Sequence, residues 1–474
     1  MAVACGVDFS NVVTAEGRVY CWGAAYRRNE LGIAGDHHQG NPDIVWFVET
    51  DAATGAMYNA PVVMVSTGQL HSGAVTDDGA VWTWGANTEG QLGQGTNTRH
   101  GLVPVRLGMM QHFAGSPAVM VACGREHTLV LTARGHIWST GEITDGLMLM
   151  GQGTVLQTGN AFKRVEGVEG MVMVACGTSH CMAVGADGTA WTWGSGSHGR
   201  LGHGDVENRC APAPLPRAAF AGMAVVFVAA GGSHSVAVTV DDILWVWGAN
   251  EKGQLGLADC ITRLAPVHLA PSVFCRSPLL TVGCGTAHTL VVTKNGIVWS
   301  SGAGVHRDAL GIPFLYTVYA GDYQIFRRLE TLAFNHERVV SVAAGPNHSV
   351  VVTDNGSVYE WGSYPQAPRQ PTHMPTLWLD EAACGRCRDT MPPEDVLALA
   401  MATQLRLGSD SPAARLPLEV IQRVVGHTVG WPELARGVVM HQGLIRLMGG
   451  GLVSRWGAST PARGRTRILE ALPP

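Results

Sequence analysis

A short motif returns seven times along this chain and constrains its fold more than any other feature. It consists of a small residue, glycine, two variable residues, histidine and then serine or threonine. Its glycines are Gly6, Gly68, Gly124, Gly177, Gly231, Gly285 and Gly345. The intervals between them are 62, 56, 53, 54, 54 and 60 residues. Regular spacing of this length indicates a single supersecondary unit copied along most of the chain.

Two further markers keep a nearly fixed distance from each glycine. The first is a Gly-x-Val-Trp-x-Trp-Gly run, as at 79–85, and the second is Gly-Gln-Leu-Gly, as at 90–93. Within one copy, the apolar run 289–293 and a second run, 297–301, flank an Asn-Gly turn. Such a pattern is typical of a β-hairpin, because glycine tolerates the positive φ of tight turns. Copies of about 50 residues built from short strands predict the blades of a β-propeller.

Together these markers resemble the repeat of the regulator of chromosome condensation family. The resemblance implies an all-β fold, a seven-bladed β-propeller over residues 1–380. The family includes guanine nucleotide exchange factors, ubiquitin-ligase modules, a plant ultraviolet photoreceptor and interaction scaffolds. The fold therefore leaves the function open.

The ends of the propeller region suggest how the ring closes. A proline-led strand precedes the small-Gly motif in other copies, for example at 61–64, 104–107 and 266–269, but Met1–Cys5 leave no room for one. The segment Pro375–Leu379 has the form of such a strand. We therefore expect residues 371–380 to pair with the N-terminal blade.

The residues after the propeller, 381–474, have a different character and predict a small α-helical region. Apolar residues recur on a helical period in 395–407. A second amphipathic run resembles the opening of an F-box, a motif that binds a Skp-type adaptor of cullin ubiquitin ligases. The residues of this run that carry the resemblance are Leu416, Pro417, Leu418, Glu419 and Ile421. The alternative is a helix that simply packs on the propeller.

Six copies carry the motif histidine: His71, His127, His180, His234, His288 and His348. One histidine per blade, about 50 residues from the next, cannot converge as a set of metal ligands. We interpret these side chains as structural groups that satisfy buried backbone near the glycine turn. The sequence predicts no catalytic residue, no cofactor and no metal.

Loops that differ between copies are the candidates for partner binding. The third copy is lengthened between 140 and 151, similar in length to the wedge of an exchange factor, so Glu142 and Asp145 are candidate contacts for a small Ran-like GTPase. Asp36, His37 and His38 lie in an insertion, 34–60. The alternative for both segments is a divergent surface loop without a role.

Composition excludes several classes of function. The formal net charge is −5 and the pI is about 6.4, so general nucleic-acid binding is not expected. The sequence has no run of eighteen apolar residues, so no membrane-spanning helix is expected. The odd number of cysteines, 11, favours small buried thiols and an intracellular location, cytoplasmic or nuclear.

The sequence thus predicts a non-enzymatic protein–protein interaction scaffold. The alternatives are a guanine nucleotide exchange factor and a substrate receptor of a cullin ubiquitin ligase. Its partner and oligomeric state are left open.

Overall fold

The computed structural model describes residues 2–23, 32, 46–47, 60–95, 99–142, 151, 159–302, 308–312, 324–362 and 372–373. These residues form seven four-stranded antiparallel sheets. Each sheet comes from one continuous stretch of the chain and packs on the sheets of the copies before and after it. The seven-bladed propeller expected from the repeat is therefore confirmed.

The strands follow one another from the centre of the ring to its rim. Blade one contains β1 (Ala2–Cys5), β2 (Phe9–Val13), β3 (Val19–Gly23) and β4 (Trp46–Phe47). Blade two contains β5 (Val62–Thr67), β6 (His71–Thr76), β7 (Val81–Ala86) and β8 (His100–Leu107). Blade three contains β9 (Ala118–Cys123), β10 (Glu126–Thr132), β11 (Ile137–Glu142) and β12 (Gly159–Arg164). Blade four contains β13 (Met171–Cys176), β14 (His180–Gly185), β15 (Ala190–Gly194) and β16 (Arg209–Pro214).

The last three blades repeat this order. Blade five contains β17 (Val225–Ala230), β18 (His234–Thr239), β19 (Leu244–Gly248) and β20 (Arg263–His268). Blade six contains β21 (Leu279–Cys284), β22 (His288–Thr293), β23 (Val298–Gly302) and β24 (Arg327–Arg328). Blade seven contains β25 (Val339–Ala344), β26 (His348–Thr353), β27 (Val358–Gly362) and β28 (Thr372–His373).

Helical structure in the described ranges is confined to short turns between strands. One α-helical turn, α1, covers Met109–His112. The 3-10 turns are Ser197–Gly199, Arg217–Phe220, Pro271–Phe274, Asp308–Leu310 and Thr331–Phe334. No helix of the described residues is long and apolar enough to cross a membrane.

Burial explains the composition of the strands. The second strand of a blade lies between two neighbouring blades, which cover both of its faces. Five of these strands are buried along their whole length: β6, β14, β18, β22 and β26. This accounts for their nearly continuous apolar sequence. The first strands line a central channel of about 640 Å³.

The proline-led segments do not share one position in the blade, contrary to the sequence expectation. Pro61 directly precedes the innermost strand β5, whereas Pro104 and Pro266 lie within the outermost strands β8 and β20. Proline lacks a backbone N–H and is tolerated at the edge of a sheet, where no further strand pairs with it.

The expected closure of the ring also needs correction. Blade one has its own innermost strand, β1, which pairs with β2 from Ala2↔Val13 to Cys5↔Ser10. In the 371–380 segment, Thr372 and His373 pair with Glu360 and Tyr359 of blade seven and not with the N-terminal blade. Pro375–Leu379 and the proposed helical region lie outside the described residues.

Blades one and seven close the ring by packing face to face. A shared apolar cluster contains Val12, Trp22, Val350, Val352 and Val358. At its edge, the Trp22 indole Nε1 donates a hydrogen bond to Glu360 Oε2 at 2.8 Å. Among the described residues, side chains join the two blades where β1, β2 and β3 of blade one meet blade seven.

Candidate partner-binding face

The seven motif loops meet at one end of the channel and form what we call the collar. Its members are residues 6–9, 68–71, 124–127, 177–180, 231–234, 285–288 and 345–348. Backbone hydrogen bonds connect neighbouring loops: Val7 N to Gln69 O (3.2 Å), Gln69 N to Gly124 O (3.3 Å), Thr178 N to Gly231 O (3.2 Å) and Gly232 N to Gly285 O (3.1 Å). We call this end of the ring the collar face and the end with the hairpin turns the turn face.

The motif requires glycine because the chain approaches itself closely in the collar. A Cβ added at Gly285 would lie 2.2 Å from His288 Cε1 and 2.4 Å from the carbonyl oxygen of Gly345 in the next blade. Glycine therefore lets the histidine ring and the neighbouring loop pack directly on the backbone.

The motif histidines join adjacent blades through hydroxyl groups. In five junctions the histidine Nε2 contacts a serine or threonine Oγ of the next blade: His71–Thr128 (2.8 Å), His180–Ser235 (2.8 Å), His234–Thr289 (2.9 Å), His288–Ser349 (3.0 Å) and His348–Ser10 (2.9 Å). In four of these the hydroxyl donates its proton to a backbone carbonyl: Gln91, Arg200, Gln254 or Ala309. The histidine must then donate from Nε2.

Burial keeps these histidines neutral. It lowers the pKa of His71 and His288 to about 3 and that of His234 and His348 to about 4. Burial likewise holds the pKa of His180 well below its ordinary value, helped by the charge of Arg200. A neutral imidazole that donates one hydrogen bond suits a structural link between blades.

Two junctions depart from this pattern. In the first blade Phe9 takes the histidine position, and Asn11 Nδ2 instead donates a hydrogen bond to Ser72 Oγ at 3.0 Å. In the junction of blades three and four, His127 Nε2 faces Cys181 Sγ at 3.4 Å. Sequence analysis did not single out Cys181, although it stands where the other copies have serine or threonine.

The tryptophans pack between blades. Trp247 Nε1 donates to Arg200 O at 2.9 Å and Trp361 Nε1 to Ala309 O at 2.8 Å. Each indole therefore holds the x-Leu-Gly loop of the preceding blade, at 199–202 and at 308–311. Of the tryptophans whose burial is described, none is exposed. This arrangement fixes the loop at the Gly-Gln-Leu-Gly position of the repeat against the collar.

Arg200 occupies the position of glutamine in the Gly-Gln-Leu-Gly marker. Its guanidinium donates to the carbonyls of Ser197 and Gly232 and is almost fully buried. Burial lowers its pKa to about 10. The side chain thus ties the marker loop of blade four to the collar loop of blade five.

An acidic group lies on the collar face between blades two and three. Glu142, predicted as a partner contact, ends β11 and is only 9% exposed. It hydrogen-bonds the side chain of Glu89, and burial together with the charges of Glu142 and Glu126 raises the pKa of Glu89. A partner would meet Glu89 and Glu126 before Glu142, and sequence analysis had identified neither of them.

The other predicted contact residues lie outside the described residues. These are Asp36, His37, His38, Asp145, Leu416, Pro417, Leu418, Glu419 and Ile421. Their roles stay predictions.

The ring, the collar and the repeat markers define a seven-bladed propeller of the RCC1 class. The sequence-family model of the RCC1-like domain matches residues 60–373, and that of the RCC1 (regulator of chromosome condensation) repeat matches residues 2–30. The chain belongs to the family of RCC1-like domain proteins.

The chain is similar to proteins of several different kinds. The ultraviolet-B receptor UVR8 of Arabidopsis thaliana is 32% identical over 64% of this chain and 65% of its own length. The human E3 ubiquitin-protein ligase HERC2 is 29% identical over 66% of this chain but only 6% of its own length. The crystal structure of Prp20p from Saccharomyces cerevisiae matches 80% of this chain and 96% of its own, with a TM-score of 0.66 and 21% identity. The chain therefore spans less than two thirds of the length of UVR8 and of HERC2.

Proposed function

We propose that this chain is a rigid scaffold that binds a protein partner on its collar face. The observation that supports this most is the set of hydrogen bonds joining collar loops of adjacent blades. A surface held in this way is preformed, so binding costs little ordering of the loops. No enzymatic activity is part of the proposal.

The acidic group on this face favours a basic segment of the partner. Glu142 and Glu126 both lie close enough to Glu89 for their negative charges to raise its pKa. The facing cation is Arg125, whose Nε lies 3.6 Å from Glu126 Oε2 and which is half exposed. Lysine or arginine of a partner would relieve the repulsion among the three carboxylates.

The test is capture of partners from native extract by the full chain and by two charge-reversal variants, followed by mass spectrometry. Glu126→Lys changes the collar face, whereas Glu166→Lys makes the same change in an exposed loop of the turn face. We expect Glu126→Lys to weaken binding of the captured partner about tenfold, which is ~1.4 kcal/mol, and Glu166→Lys to leave it unchanged. Equal loss in both variants, or in neither, would contradict a collar-face site.

The same experiment separates the two alternative functions. A small GTPase among the partners, with nucleotide release that the chain accelerates and the double change Glu142→Gln and Asp145→Asn abolishes, would favour an exchange factor. A Skp-type adaptor that is lost on Leu416→Asp would favour a receptor of a cullin ubiquitin ligase. Neither result is required by a scaffold that binds through the collar.

A further inference from the structure

The junction of blades three and four brings two thiols and one imidazole together. His127 Nε2 lies 3.4 Å from Cys181 Sγ, and these two atoms and Cys176 Sγ all lie within 4.8 Å of one another. Cys176 and Cys181 are directly paired across β13 and β14, so their side chains share one side of the sheet. His127 reaches them from the preceding blade.

Equivalent junctions in the same ring show what is unusual here. Cys284 pairs with Thr289, whose hydroxyl contacts His234, and Cys123 pairs with Thr128, whose hydroxyl contacts His71. Cys5 likewise pairs with Ser10 beside His348. Each of these three junctions has one thiol, one hydroxyl and one imidazole. At the junction of blades three and four a second thiol replaces the hydroxyl.

This replacement changes the chemistry that the junction can perform. A hydroxyl relays a hydrogen bond from the histidine to a backbone carbonyl, as Thr289 does to Gln254 O at 2.7 Å. A thiol is a weak hydrogen-bond partner but, once deprotonated, a strong ligand for borderline and soft metal ions. Two thiolates and one neutral imidazole form a donor set that Zn²⁺ accepts in proteins.

We propose that His127, Cys176 and Cys181 bind one Zn²⁺ ion. Tetrahedral Zn²⁺ with bonds of about 2.0 Å to nitrogen and about 2.3 Å to sulfur holds its ligand atoms roughly 3.5–3.8 Å apart. The 3.4 Å contact between His127 and Cys181 is close to that value, and Cys176 needs a shift of about 1 Å at most. Binding releases the two thiol protons, so two thiolates balance the charge of the ion.

The fourth ligand position opens on the channel. His127 and Cys181 are fully buried, whereas Cys176 is partly exposed and lines the channel wall. Water from the channel completes the coordination, and the channel is the route by which the ion enters.

The test uses the full chain, stripped of metal and kept reduced, and titrates Zn²⁺ in competition with a chromophoric chelator. Cys181→Ser and Cys176→Ala should each remove one tightly bound equivalent. Both substitutions restore residues that other copies have: Ser235 and Ser349 at the first position, Ala230 and Ala344 at the second. Both variants are therefore expected to fold, which urea unfolding followed by tryptophan fluorescence checks.

Cys284→Ala is the matched control, because Cys284 has the same repeat position but faces a threonine. It should retain every equivalent that the parent chain binds, including any held by thiols elsewhere. Cobalt(II) in place of zinc should give thiolate-to-metal absorption that Cys181→Ser diminishes and Cys284→Ala preserves. An unchanged number of equivalents in Cys181→Ser, or equal loss in Cys284→Ala, would overturn the assignment.

Discussion

Acid should unfold this propeller at a pH where most proteins are still stable. Five motif histidines, His71, His180, His234, His288 and His348, have a pKa far below the ordinary value of 6.5 because they are buried. The unfolded chain therefore binds protons that the folded chain does not. The stability that these groups contribute is complete above pH 6.5 and is lost as the pH falls from 6.5 towards the folded pKa values of about 3 to 4.

The size of the effect depends mainly on the unfolded chain. At pH 5.5, one unit below the unfolded pKa, each histidine lowers the free energy of unfolding by RT ln 11, which is about 1.4 kcal/mol. Five histidines together remove about 7 kcal/mol, comparable with the whole stability of a typical domain. Glu89, whose pKa is raised, acts in the opposite direction, but it is one group against five.

Urea unfolding at pH 7.5, 6.5 and 5.5 measures this loss. Tryptophan fluorescence reports on the ring because Trp84, Trp193, Trp247 and Trp361 are fully buried between blades. His234→Phe, which copies the side chain of Phe9 in blade one, should reduce the loss between pH 7.5 and 5.5 by about 1.4 kcal/mol. Leu332→Ala, a change at an exposed side chain that does not titrate, should not reduce it.

A urea midpoint that stays constant from pH 7.5 to 5.5 would refute this reasoning. It would mean that the imidazoles take up protons while still in the folded ring, so the hydrogen-bonded junctions would not require a neutral histidine. Equal pH dependence in His234→Phe and the parent chain would lead to the same conclusion for that junction.

Two further predictions concern packing and closure of the ring. Gly285→Ala should lower the free energy of unfolding by about 2–4 kcal/mol, because the added Cβ would collide with His288 and with the backbone of Gly345. Gly204→Ala, at φ +87° with no atom within 4 Å of the added Cβ, should lower it by only about 1–2 kcal/mol. Urea unfolding compares the two variants, and equal losses would contradict the steric reason. Glu360→Ala should lower the free energy of unfolding by about 2 kcal/mol, because it leaves the Trp22 indole N–H without the acceptor that lies 2.8 Å away. Glu360→Gln keeps a carbonyl oxygen at that position and should lower it by under about 1 kcal/mol in the same assay.

The sequence was sufficient to predict the blades because each blade is a local structure. The turn at Asn295-Gly296, the strands on either side of it and the spacing of the markers all lie within one copy. Closure of the ring is harder to predict because it depends on contacts between the two ends of the propeller: residues 372–373 pair with blade seven, and the pairing of 375–379 stays a prediction. Trp22 and Glu360 are 338 residues apart, and nothing in either copy alone indicates that they meet.

The acidic group shows the same limit. The length of its copy indicates Glu142 as a candidate, but its neighbour Glu89 directly precedes the Gly-Gln-Leu-Gly marker of the preceding copy. In a propeller the loop that follows one blade contacts the next blade. A side chain in a marker loop must therefore be compared with the following copy as well as with its own.

That rule also separates structural from functional departures from the repeat. Blade one loses its histidine to Phe9, but Asn11 supplies the missing hydrogen bond to Ser72, so the junction is restored by a second change nearby. Blade four has Cys181 in place of the hydroxyl: this thiol contacts His127 Nε2 at 3.4 Å and is paired with a second thiol, Cys176, which donates to Ala122 O at 3.4 Å. A departure that is compensated preserves the fold, whereas the one departure here, Cys181, adds a second thiol to the histidine and cysteine that other junctions also have. The proposed metal site at the junction of blades three and four therefore rests on this one substitution, which the titration of Cys181→Ser tests directly.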